Sequence, residues 1–150
     1  MKSVVDKLQI KPGAVVGLLG LPADLQPVLA ELWERATVEA ALAPAVPVTT
    51  VLAFATRQQE IADVAAQLGH APGDVAVWVA YPKGSSKKYR CEFNRDTGWA
   101  ALGAAGFEPV SQVAIDEDWS ALRFRRVEYI KKMTRKGAIS AGGQARIAPE

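Results

Sequence analysis

"DVAVWVAYPKGSSKKYR", residues 74–90, holds the run that decides the fold. From Val75 to Tyr81 every residue is apolar or aromatic, so neither face of an extended segment is suited to water. A strand with one wet face alternates polar and apolar residues, whereas apolarity on both faces suits a central parallel strand covered by helices on each side. Directly after it come Pro82, Lys83, Gly84, Ser85, Ser86, Lys87 and Lys88. A buried strand thus delivers a basic loop to one edge of a sheet.

Outward from this segment the chain alternates in the way a parallel sheet requires. Val15–Leu19 is a short apolar run bounded by Pro12-Gly13 and Gly20 and reads as a first strand. Leu25, Val28, Leu29, Leu32 and Ala36 then paint one helical stripe, which predicts a helix from about Pro22 to Leu42. "APAVP" (43–47) breaks it, and Val48–Phe54 is a second β-branched, apolar strand. Thr56 with Gln59 predicts a capping box for a second helix, in which Ile61, Val64, Ala65 and Leu68 share one face and Gly69 supplies the stop. Beyond the basic loop, Asp96-Thr97 opens a third helix that Gly106 ends. Val110–Ile115 and Trp119–Phe124 are strands joined by Asp116-Glu117-Asp118, an antiparallel hairpin with Leu122 and Phe124 turned inward and Arg123 and Arg125 outward. "VEYIKKMTRKG" (127–137) predicts a short basic helix.

The expected architecture is therefore α/β, a Rossmann-like three-layer sandwich. Its sheet is mostly parallel and five-stranded, with a terminal antiparallel hairpin. Residues 1–136 are read as one domain and the weakly patterned stretch 137–150 as a flexible tail.

Composition narrows the function classes. The chain has 150 residues, 49% hydrophobic and 23% charged, the make-up of one globular domain. A single Cys91 excludes an internal disulfide, and a single His70 leaves no means to assemble a zinc cluster of the usual kind. The start "MKSVVDKLQIKPG" has no signal-peptide core, and no run of 18 apolar residues suggests a membrane span, so a cytoplasmic setting is expected. Net charge is +2, but residues 96–118 carry five acids and no base, whereas 119–150 carry eight bases and two acids. Such a dipolar surface suits an anionic partner, or simply keeps the protein in solution.

Two resemblances add to this reading. "KPGAVVGLLGLP" (11–22), "DVAVWVAYPKGSSKK" (74–88), "NRDTGW" (94–99) and "VAIDEDWSALRFR" (113–125) resemble a small bacterial family known only as a domain of unknown function, over roughly residues 10–126. That resemblance implies no catalytic residue. The order of elements is also similar to part of a Rossmann-like methyltransferase, which implies S-adenosylmethionine at the Leu19–Asp24 loop. The chain departs from that pattern in having one glycine in the loop, and no neighbouring strand with a terminal acid for the ribose is legible.

In an open α/β sheet ligands bind outside the carboxyl ends of the strands. Lys83, Gly84, Ser85, Ser86, Lys87 and Lys88 follow the third strand and combine a flexible turn, hydroxyl and amide donors and positive charge. They are the candidate ligand-binding residues, for an anionic small molecule or a protein partner. The alternative is a solvated connector, and the loop lacks a Walker A order. Arg125, Arg126, Lys131, Lys132, Arg135 and Lys136 are a weaker candidate for nucleic-acid phosphates. Trp78, Trp99 and Trp119 read as core, Asp116–Asp118 as an exposed hairpin tip rather than a Mg²⁺ site, and no nucleophile is assigned to Cys91. No cofactor is assigned, and the function expected is a non-catalytic binding module. The alternatives are a reduced methyltransferase-like enzyme and a nucleic-acid binder.

Overall fold

In a computed structural model the chain is described over residues 4–39, 48–68, 74–91, 93 and 98–130. The elements are α1 (Val4–Lys7), β1 (Val15–Leu19), α2 (Ala30–Arg35), β2 (Thr37–Glu39), β3 (Thr50–Phe54), α3 (Gln58–Gln67), β4 (Ala76–Pro82), α4 (Ala100–Ala104), β5 (Phe107–Ala114) and β6 (Trp119–Arg126). Six strands form one sheet in the order β2-β1-β3-β4-β6-β5. β2, β1, β3 and β4 are mutually parallel, while β6 runs antiparallel to both β4 and β5. This is the α/β Rossmann-like arrangement expected, with six strands in place of five.

The extra strand corrects the reading of residues 22–42. No continuous helix spans them. Two short 3-10 turns, Ala23–Leu25 and Pro27–Leu29, precede α2, and the chain is extended again at Ala36. Pro27 has no N–H to return to the carbonyl four residues back, so an α-helical ladder cannot cross it. The carbonyl of Arg35 instead accepts from the Gly13 N–H at 2.9 Å, which draws the end of α2 against the approach to β1. Thr37 and Val38 are β-branched and pair with Val15 and Val16 as a parallel edge strand.

β4 is buried along both faces, as its composition requires. Val77, Val79 and Tyr81 join Val51, Ala53, Ile61, Val64, Leu102 and Phe124 in one core layer beneath α3 and α4. Trp78 and Ala80 face the opposite layer with Val5, Leu8, Leu29, Leu32, Leu52 and Trp119. Burying each large side chain of this kind contributes about 1.5–3 kcal/mol. In the first layer Trp99 meets Tyr81, Phe93 and Phe124 with ring centroids 5.5, 4.9 and 5.2 Å apart. Leu122, Phe124 and Trp119 are buried as expected, and Ala121 is buried too, because the antiparallel pair is covered on both sides.

β5 is the edge strand beyond β6, and its register slips between Pro109 and Ser111, leaving Val110 as the extra residue of a bulge. At the hairpin tip Asp116 Oδ1 accepts from the N–H groups of Asp118 and Trp119, both at 2.8 Å. That carboxylate shapes the turn. After β6 the first residues of the expected 127–137 helix, Val127–Tyr129, form a 3-10 turn instead, and the rest of that stretch with the expected tail lies outside the described residues. So do the Gly69 stop, His70 and the Asp96-Thr97 helix start. No helix among the described residues is long and apolar enough to cross a membrane.

Candidate functional site

The parallel strands all discharge at one rim. Leu19 ends β1, Glu39 ends β2, Phe54 ends β3 and Pro82 ends β4. Gly20 turns the chain at the end of β1 with φ +72°, in the left-handed region that favours glycine. A Cβ there would lie 3.0 Å from the carbonyl oxygen of Phe54, so the turn is held close to β3 by the absence of a side chain.

Next to this turn, on the outer side, β2 pairs Glu39 with Gly17 of β1, two residues before Leu19. The carboxylate is half-buried and makes no hydrogen bond or ion pair with the described residues. Sequence reading missed it because Thr37–Glu39 was absorbed into the helix; the adjacent β-branched Thr37-Val38, just past the last stripe residue Ala36, was the available signal.

On the inner side, β3 leads into α3 through Ala55, Thr56 and Arg57. The Ala55 N–H donates to the Ala80 carbonyl at 2.9 Å, which fixes this exit to β4. The box that caps α3 is built on Glu60 rather than Gln59. Its Oε1 accepts from the Thr56 N–H at 3.0 Å, the Thr56 hydroxyl at 3.2 Å and the Arg57 N–H at 3.1 Å. Gln59 turns outward and donates to Asp63 Oδ1 at 2.9 Å. Farther along, Trp119 opens β6 opposite Pro82. It is buried against Phe54 and Tyr89, and its indole N–H finds no acceptor among the described residues.

The basic loop does leave β4 at this rim, and the hairpin tip holds two of its six residues. Lys83 Nζ donates to the Asp116 carbonyl at 2.7 Å, and the Lys83 N–H to the Asp118 carbonyl at 2.8 Å. Ser86 Oγ donates to Asp118 Oδ1 at 2.8 Å and accepts from the N–H groups of Lys88 and Tyr89 at 3.3 and 3.1 Å. Lys88 lies over the Tyr89 ring, 5.4 Å from its centroid. Gly84, Ser85 and Lys87 are exposed. The six residues therefore divide into an anchored set, Lys83 and Ser86, and a set facing solvent.

The basic residues proposed for nucleic acid are divided as well. Arg125 is paired with Asp74 through two hydrogen bonds of 2.8 and 2.6 Å, and this contact holds the Asp74 carboxyl below its usual range while raising the Arg125 guanidinium. Arg126 donates to the Leu68 carbonyl at 3.1 Å and stacks on Phe107. Lys131, Lys132, Arg135 and Lys136 lie outside the described residues.

No protein-family model matches the chain, and no curated protein matches it in sequence. Solved structures match it in fold. What they share with this chain is a Rossmann-like α/β fold. A SAM-dependent methyltransferase from Aquifex aeolicus is similar over 83% of this chain and 88% of its own, at 13% identity and a TM-score of 0.61. The fibrillarin pre-rRNA processing protein of Methanococcus jannaschii is similar over 84% of this chain and 69% of its own, at 12% identity and a TM-score of 0.51. A protein of the NADB-Rossmann superfamily from Streptococcus agalactiae covers 84% and 68%, at 15% identity and a TM-score of 0.50. At such identities the likeness is one of fold.

Proposed function

We propose that the chain binds an adenosyl cofactor of the S-adenosylmethionine type over the carboxyl ends of β1, β2 and β3, and that methyl transfer is its reaction class. The observation that carries this reading is Glu39. It is the last residue of β2, parallel to β1 and opposite Gly17, three residues before the Gly20 turn, and its carboxylate has no partner among the described residues. A carboxylate in that place is suited to accept from the two hydroxyls of a ribose. Gly20, with no side chain, keeps the turn after β1 close against β3 at the rim where such a cofactor would lie.

The cofactor, when bound, supplies a methyl group already activated on a sulfonium. The residues of the chain need only bind it, orient it and keep water from it. Calorimetric titration with S-adenosylmethionine and S-adenosylhomocysteine tests the reading. Binding is expected, with Glu39→Gln weakening it by about tenfold or more, in line with a lost charge-assisted hydrogen bond of about 1.5–3 kcal/mol. Absence of heat and of thermal shift at millimolar cofactor would sink it.

A second reading concerns the loop after β4. Gly84, Ser85 and Lys87 are exposed at the same rim while Lys83 and Ser86 hold the loop in shape. Such a loop is suited to an anionic small molecule, or to the anionic part of a substrate or partner brought to the cofactor. Lys87→Glu with Lys88→Glu should abolish that binding and leave cofactor affinity in place; unchanged binding of phosphorylated metabolites would discard the loop.

A further inference from the structure

The opposite rim of the sheet carries a concavity. An open groove of about 620 Å³ lies where the chain enters β1, with Asp6, Gln9, Lys11, Pro12, Arg35 and Arg123 among its walls. That volume falls within the usual range for small-molecule pockets, about 300–1,000 Å³. Three of those walls are cationic and one is acidic.

The cations are not equivalent. Arg35 is fully engaged in structure: it donates to Asp6 Oδ1 at 2.8 Å and to the Ile10 carbonyl at 3.0 Å, and pairs with Glu31. Lys11 is exposed and has no ion-pair partner among the described residues. Arg123 lies on β6 opposite Trp78 and has no carboxylate bonded to it there either. Its Nη1 donates to Gln9 Oε1 at 3.0 Å, and its Nε is buried without an acceptor. The acid whose charge reaches it, Asp74, is already taken by both arms of Arg125. A guanidinium with no carboxylate hydrogen-bonded to it among the described residues thus borders a groove of ligand size.

Gln9 points the same way. It follows α1 with φ +59°, its N–H returns to the Asp6 carbonyl at 3.0 Å, and the Ile10 N–H returns to Val5 at 3.2 Å. These are the two hydrogen bonds of a Schellman cap, whose left-handed position normally takes glycine. A glutamine there costs about 1 kcal/mol. What it gains is a side-chain oxygen that fixes the Arg123 guanidinium at the groove.

We propose that this groove binds a small organic anion bearing a carboxylate or phosphate, with Arg123 as the bidentate anchor and Lys11 as a second charge. Planar pairing of two N–H donors with two oxygens is the recognition that arginine does best. The site is separate from the carboxyl rim, so it stands or falls independently of cofactor binding there.

The test is a titration of the full chain at constant ionic strength with inorganic phosphate in one arm and succinate in the other. It is followed by calorimetry and by amide chemical shifts. Saturation is expected with at least one of the two at about 1 mM or below, with shifts at Gln9, Lys11, Arg35 and Arg123; whichever arm saturates names the anion. Arg123→Gln should weaken it by about tenfold. Gln9→Gly should keep or raise the melting temperature yet weaken binding several-fold, a separation that a purely structural glutamine would not produce. Glu39→Gln should leave it unchanged. If neither anion saturates, or if Lys11→Gln and Gln9→Gly both bind as tightly as the parent, the proposal is overturned, whether or not Arg123→Gln folds.

Discussion

Trp78 on β4 donates its indole N–H to the carbonyl of Leu8, 2.9 Å away and 70 positions earlier in the chain. Both groups are buried, so this bond fastens the amino-terminal segment to the centre of the sheet. Replacing Trp78 with Phe keeps a ring but leaves the Leu8 carbonyl unpaired and a space behind it. The expected cost is about 2 kcal/mol, read as a lower urea midpoint. A midpoint within experimental error of the parent's would show that the segment is held by apolar packing alone.

The turn after β1 makes a sharper demand. Gly20 combines φ +72° with a 3.0 Å approach of any Cβ to the Phe54 carbonyl. Gly20→Ala should therefore destabilise by about 1–2 kcal/mol and widen the gap between β1 and β3. Equilibrium unfolding measures the first, and faster hydrogen exchange at the end of β3 reports the second.

Asp74 and Arg125 give a pH dependence with a definite sign. The hydrogen bond from Arg125, ahead of any burial effect, holds the folded-state Asp74 carboxyl below its ordinary value. A lowered folded pKa means stability that is present above the unfolded value of about 3.9. It is lost as the pH falls through the lower folded value. Both side chains are more than a third exposed, at 34% and 39%, so screening keeps the pair small. At pH 7, Asp74→Asn should cost at most about 1 kcal/mol. The difference between parent and variant should shrink as the pH falls below about 3.9; a difference that does not change with pH would assign the effect to packing.

The loop after β4 offers a test of its anchoring. Ser86 Oγ is donor to Asp118 and acceptor for two backbone N–H groups. Ser86→Ala should cost about 1 kcal/mol, and protease cleavage within residues 83–89 should quicken. Unaltered cleavage would mean that Lys83 alone keeps the loop against the hairpin.

What could be read from the sequence follows from how strongly each segment is determined by its own residues. β1, β3, β4 and the hairpin were legible because runs such as Val75–Tyr81 cannot be solvated on either face. β2 was not. Three residues carry little periodic signal, and the stripe from Leu25 to Ala36 continued smoothly into them; what ends the helix is a contact made in space, the Gly13 N–H on the Arg35 carbonyl. The same omission hid Glu39, since an acid reads as a rim residue only once it ends a strand. Lys83 and Ser86 were placed at the correct rim, but their bonds to Asp116 and Asp118 join positions about 30 apart in sequence, beyond the reach of local pattern. Gln9 and Arg123 are farther still, at 114 positions.

The bulge in β5 has a consequence for how the molecule meets its own copies. A sheet border with an unbroken row of amides is a template onto which another extended chain can dock, and repetition of that event builds fibres. Here Pro109 contributes no N–H and Val110 throws the strand out of step, so the border offers no continuous ladder to copy. A second chain would find no regular partner along that side, which disfavours stacking of one copy on the next through β5.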